Sequence, residues 1–229
     1  YAVLLQTVAA FFSILILLRM YYKDYRKRRF VFGRKDTAWP WWGLLIPIGI
    51  LVSLAGNLLI NLTNLTEVSE NFEQSQKLLF SGPFVIQIIG IGMIIPICEE
   101  LIYRGLIFMR MRQYCNVNLA IGLSALLFAV FHGNVVQGIY GFATGVLFAY
   151  VYEKYGSLKA PVLVHVSANL LSLGLSYVNP SFADRGRVFI VGIAAAAVCL
   201  LLLWAVDGHV AARRIYLNNA DAAAGAQED

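Results

Sequence analysis

Seven times between Ala2 and Val206 the chain enters an apolar run: Ala2 to Leu18, Trp41 to Asn61, Pro83 to Met111, Leu119 to His132, Gln137 to Tyr152, Val162 to Tyr177 and Val188 to Val206. In hydrocarbon no water is available to backbone N–H and C=O groups, so segments of this kind must satisfy them internally, which leaves the helix. The predicted fold is therefore all-α, a polytopic transmembrane helical bundle of seven spans. With 59% hydrophobic and only 14% charged residues, the chain lies far from the composition of a soluble domain. Fifteen of the 18 Lys and Arg residues fall on the side of the first, third and fifth loops and the tail, against Lys77, Arg185 and Arg187 on the other. That bias predicts the N-terminus outside and the C-terminus inside. Tyr1 already stands within an apolar run, so an eighth span is expected ahead of it in the native protein.

The spans and their connections differ in character. Arg19 to Pro40 carries eight Lys and Arg residues and reads as a solvated cytoplasmic loop, followed by Pro40-Trp41-Trp42 as an interfacial aromatic anchor. Asn57 and Asn61 read as polar glue between helices. Two sequons, at Asn61 and Asn64, carry little weight at so short a motif. Glu67 to Phe80 is polar and acidic with Val68, Phe72 and Leu79 near helical spacing, the pattern of a surface-lying amphipathic helix. Pro96 is expected to kink the third span one turn before Glu99 and to free backbone groups there. Gly138, Gly141 and Gly145 suit close helix approach in the fifth. Cys98, Cys115 and Cys199 have unrelated spacings and support neither a disulfide framework nor a zinc knuckle. No repeat or extramembrane domain is visible. One domain is expected over 1–206, with its functional core at about 83–177, and a partly disordered cytoplasmic tail over 207–229.

Within these apolar runs stand Glu99, Glu100, Arg104, His132, His165 and Asn169. Ionisable groups in a span are costly and mark function by default. Glu100 and Arg104 at i, i+4 can pair, whereas Glu99 lies about 100° round the helix and can face a cavity. Ser124, Phe128 and His132 share one face of the fourth span, and His165 and Asn169 one face of the sixth. A carboxylate with an imidazole can take a proton from water and return it to a leaving amine. An imidazole one turn from a carboxamide presents donors to a developing oxyanion. The chemistry these types suit best is hydrolysis of a peptide bond.

In order and on separate spans, Glu99-Glu100-Leu101-Ile102-Tyr103-Arg104, Phe128-Ala129-Val130-Phe131-His132 and His165-Val166-Ser167-Ala168-Asn169 resemble the Glu-Glu-x-x-x-Arg, Phe-x-x-x-His and His-x-x-x-Asn motifs of the CPBP family, the CAAX proteases and bacteriocin-processing enzymes also called Abi. The likeness covers roughly Ile94 to Leu171. It implies an intramembrane endopeptidase of eight spans in which Glu99 and His132 activate water, His165 and Asn169 stabilise the oxyanion, and Glu100, Arg104 and Phe128 shape the site. A metal-free mechanism is favoured. A zinc-dependent version would use Glu99, His132 and His165 as ligands.

Other classes remain open at this stage: a transporter or proton relay, a non-catalytic bacteriocin-immunity or interaction protein, and a rhomboid-like serine site at Gly122-Leu123-Ser124, which leaves the glutamates unexplained. Neither a His-Glu-x-x-His sequence nor an intramembrane Asp pair is present. The expected partners are membrane lipid and a membrane-associated peptide or protein substrate, with no nucleic acid, and the expected location is a bacterial cell membrane.

Overall fold

A computed structural model describes residues 2–28, 39–63, 74–75, 77–78, 80, 82–178 and 185–225. The helices described here are α1 (Ala2–Arg28), α2 (Trp39–Gly43), α3 (Leu45–Thr63), α4 (Phe84–Met111), α5 (Val117–Val130), α6 (Val135–Tyr155), α7 (Lys159–Val178) and α8 (Arg185–Gly225). No strand occurs among the described residues. The protein is a polytopic helical membrane bundle.

Among the described residues six helices, rather than the predicted seven, are long and apolar enough to cross a membrane. The exception is α5, whose 14 residues reach only about 21 Å at 1.5 Å per residue, short of a hydrocarbon core of roughly 30 Å. Its ends are fixed locally. Asn116 caps the start, its side-chain oxygen accepting from the Leu119 N–H at 2.9 Å. After Val130 the chain turns through Gly133 at φ +76°, a conformation that favours glycine, and Asn134 caps α6 by accepting from the Gln137 N–H at 2.8 Å. His132 therefore lies in the turn beyond α5 and not on the helix, as its spacing from Phe128 had suggested.

Other boundaries also move. Arg19, Lys23, Arg26 and Lys27 belong to α1, which runs on to Arg28; residues 29–38 of the predicted basic loop, and most of the predicted amphipathic helix at 67–80, lie outside the described residues. The tail predicted as partly disordered continues α8 as far as Gly225, and residues 226–229 lie outside the described set. Trp41 and Trp42 fasten α2 to the bundle: Trp41 stacks on His209 of α8 at 4.3 Å, its carbonyl accepts from Tyr155 Oη at 2.7 Å, and Trp42 meets the Tyr155 ring edge-on.

Close packing rests on small residues. A Cβ at Gly49 of α3 would lie 2.3 Å from the Val164 carbonyl oxygen of α7, and one at Gly145 of α6 would lie 3.1 Å from Ala125 Cα of α5. The Gly-rich stripe of α6 thus seats α5, as its sequence implied. Asn57 does act as glue, donating to Ser53 on its own helix and to Ser172 Oγ of α7. Between these contacts lies a core of Leu45, Ile48, Phe128, Phe148, Val151 and Val164.

The winding of α4 departs most from a plain span. Two π-helical segments, Gly90–Ile94 and Leu101–Phe108, flank a short α-helical stretch, Ile95–Glu100. The interruption expected from Pro96 takes this form, with the Ile95 N–H bonded five residues back to the Gly90 carbonyl. A π segment inside an α-helix is rare and occurs frequently at functional sites.

Candidate active site

Glu99 and Glu100 end the α-helical stretch of α4, and their side chains diverge. Glu100 is fully buried, as is Arg104, whose Nη1 donates to Glu100 Oε1 at 2.9 Å. Arg104 Nη2 donates to the Gly145 carbonyl of α6 at 3.1 Å. The guanidinium lies 4.6 Å from the centre of the Phe128 ring and 5.2 Å from that of Phe148. A buried cation needs such pairing, and aromatic faces add to it.

His165 of α7 stands between the two glutamates. Its Nδ1 donates to Glu100 Oε1 at 2.8 Å, and its Nε2 lies 3.6 Å from Glu99 Oε2. Stacking on Phe148 at 4.5 Å holds the ring plane. The Glu99 side chain keeps 27% of its surface accessible where Glu100 keeps none, so one carboxylate faces open space and the other serves as an anchor.

His132 is oriented by its own backbone. Its Nδ1 is 2.7 Å from the Phe128 carbonyl oxygen; a carbonyl only accepts, so the proton sits on Nδ1, and in the neutral ring Nε2 carries the lone pair. The Phe128 ring packs edge-on against both His132 and His165.

Asn169 shows what the π winding releases. In the register set by Ile95 bonding to Gly90, the next donor would serve the Ile91 carbonyl, but that residue is Pro96, which has no N–H. Asn169 Nδ2 donates to the Ile91 oxygen instead, at 3.0 Å, which orients the carboxamide and leaves it a second N–H.

Glu99, His132, His165 and Asn169, drawn from α4, the α5–α6 turn and α7, all line one cavity of about 500 Å³ with mostly apolar walls. Glu100 and Arg104 lie behind it, and Phe128 forms part of its wall. Sequence reasoning did not find Phe148, Tyr140 and Thr144 of α6, or Gln6, Ala9 and Ala10 of α1, which also line it. Only the Gly-rich stripe hinted that α6 would come so close. Ser124, the basis of the serine-site alternative, is buried and donates to the Tyr103 carbonyl at 3.1 Å.

No group of three His, Cys, Asp or Glu among the described residues is arranged to hold a metal ion. Glu99 and His165 approach each other, but a tetrahedral zinc site needs at least three protein donors at about 2.0–2.2 Å from one point.

Residues 81–171 match the sequence model of the family described as type II CAAX prenyl endopeptidase Rce1-like, which contains all three motifs and bears out the resemblance read from them. A Bacillus subtilis (strain 168) protein named "Putative membrane peptidase YdiL" is 24% identical over 170 residues, 72% of this chain and 68% of that protein. No solved structure gives a significant match.

Proposed function

Because residues 81–171 match the model of the Rce1-like family of CAAX prenyl endopeptidases, we propose that this chain is a membrane protease that cleaves a membrane-associated peptide or protein by water activated at Glu99 and His132, without a resident metal. The observation that carries the reading is the convergence of Glu99, His132, His165 and Asn169 on one cavity within an apolar bundle. Buried polar groups cost several kcal/mol each unless they find partners, and nothing in bundle packing alone calls for these four in one place.

Each residue then has a task. A water between the Glu99 carboxylate and the lone pair on His132 Nε2 loses a proton as its oxygen attacks the peptide carbonyl carbon. Charge develops on the carbonyl oxygen, where the second N–H of Asn169 and, with a proton on Nε2, the His165 ring can donate. Glu100 holds His165 through Nδ1, and Arg104 neutralises Glu100. Glu99 and Glu100 against Arg104 leave one negative charge uncompensated, which a protonated His165 would balance. Collapse of the tetrahedral intermediate breaks the C–N bond, and the departing amine takes the proton first removed from water.

Cleavage of an internally quenched apolar peptide by the reconstituted protein tests this. Glu99→Gln keeps size and hydrogen bonding but cannot accept the proton, so turnover is expected to fall by about 10²–10⁴-fold with the melting temperature unchanged. A zinc-selective chelator is expected to leave wild-type turnover intact. Activity lost to the chelator and restored by zinc would overturn the metal-free mechanism.

A further inference from the structure

The cavity is walled on one side by α1, which lies outside the region shared with the protease family. Gln6, Ala9 and Ala10 reach it at i, i+3 and i+4, one face of the helix. The alanines leave room there; Gln6 brings a polar group into an otherwise apolar stretch, flanked by the exposed Leu4, Leu5 and Val8. Among the described residues the Gln6 carboxamide makes no hydrogen bond.

The helix that carries it is set closely against α4. A Cβ at Gly90 would lie 2.0 Å from Thr7 Oγ1, so the glycine lets α1 sit hard against the first π segment of α4. One residue on, the Ile91 carbonyl accepts from Asn169. Gln6, itself exposed on α1, and Asn169 line the same cavity from different helices.

A peptide entering such a cavity loses water from its main chain, and each unsatisfied N–H or C=O is costly there. A neutral carboxamide offers both a donor and an acceptor without adding charge. We propose that Gln6 binds the substrate, hydrogen-bonding a main-chain amide near the scissile bond and so fixing the register in which the peptide meets Glu99. This rests on the endopeptidase reading above.

The test uses the full chain and the same quenched apolar peptide, as all-amide and as a series in which one backbone amide at a time is replaced by an ester, removing its N–H. Gln6→Leu is expected to raise KM about fivefold, the factor of one ordinary hydrogen bond, with kcat little changed. At one position the ester should raise KM for the wild type by a similar factor and leave Gln6→Leu unaffected. Equal ester penalties in both proteins, or a loss confined to kcat, would overturn the contact while leaving the protease reading in place. The same peptides binding to the Glu99→Gln protein, followed by fluorescence anisotropy, report the contact without cleavage. The ester contrast seen there with no wild-type cleavage removes the protease reading and keeps Gln6 as a peptide contact; no contrast in either assay removes the contact.

Discussion

Helices α4 and α8 cross the same bundle, both with ample apolar length, yet they are built in opposite ways. The α8 helix keeps one regular winding over 41 residues. It turns Leu200, Leu201 and Trp204 outward and sets Cys199 and Val206 against the core. The α4 helix changes winding repeatedly within 28 residues and buries Gln87, Glu100 and Arg104 completely. Apolar length alone makes a membrane crossing. Irregular winding and buried charge, which weaken a crossing, are kept where the helix also has to present a carboxylate to a cavity.

The contrast predicts how each helix fails. The largest effect is expected at Glu100→Gln, which leaves Arg104 buried with a weaker partner and removes the acceptor of His165. The loss should be on the order of 3–5 kcal/mol, read as a lower melting temperature or yield. A stable but inactive Glu100→Gln, paired with an unstable Glu99→Gln, would mean that the two carboxylates have exchanged tasks. Next comes Gly145→Val, which pushes on Ala125 and Phe128 beside the carbonyl that receives Arg104. Overpacking of about 1–3 kcal/mol should appear in the melting temperature, together with reduced turnover as Phe128 shifts under both histidines. The smallest effects belong to the outer face of α8. Leu200→Ala and Trp204→Ala should each change stability by no more than about 0.5 kcal/mol and leave turnover alone. A large loss of turnover in either variant would mean that α8 does more than complete the bundle.

Much of this was legible in the residues themselves. The spacing of Glu100 and Arg104 fixed their pairing because i, i+4 is a distance on any helix, and three motifs in order named the residues that meet at the cavity. Pro96 announced an interruption beside Glu99, and the freed carbonyl of Ile91 is what such an interruption leaves behind. The bond from His165 to Glu100 was not legible, since its partners are 65 positions apart and no local rule sets that separation. The end of α5 was missed although Gly133 and Asn134 signal a stop and a new cap, because an apolar run continuing to Phe131 outweighed them. The π winding has no compositional signature to read. The contribution of α1 to the cavity depends on a glycine, Gly90, that looks unremarkable until Thr7 is placed against it.

The pairing of Glu100 with Arg104 also bears on how the protein reaches the membrane. Both partners lie one turn apart on a single helix, so the salt bridge can form as soon as that helix winds, before any neighbour has arrived. An isolated span with a free carboxylate or guanidinium would enter lipid at a cost of about 2.5–3.5 kcal/mol for each charge; α4 carries its own counter-ion for Glu100 and reaches the bilayer with the Glu99 carboxyl as the one group of the three still to find a partner. Glu99 and His165 meet only when α7 docks, so the chain can be inserted first and acquire its chemistry on assembly.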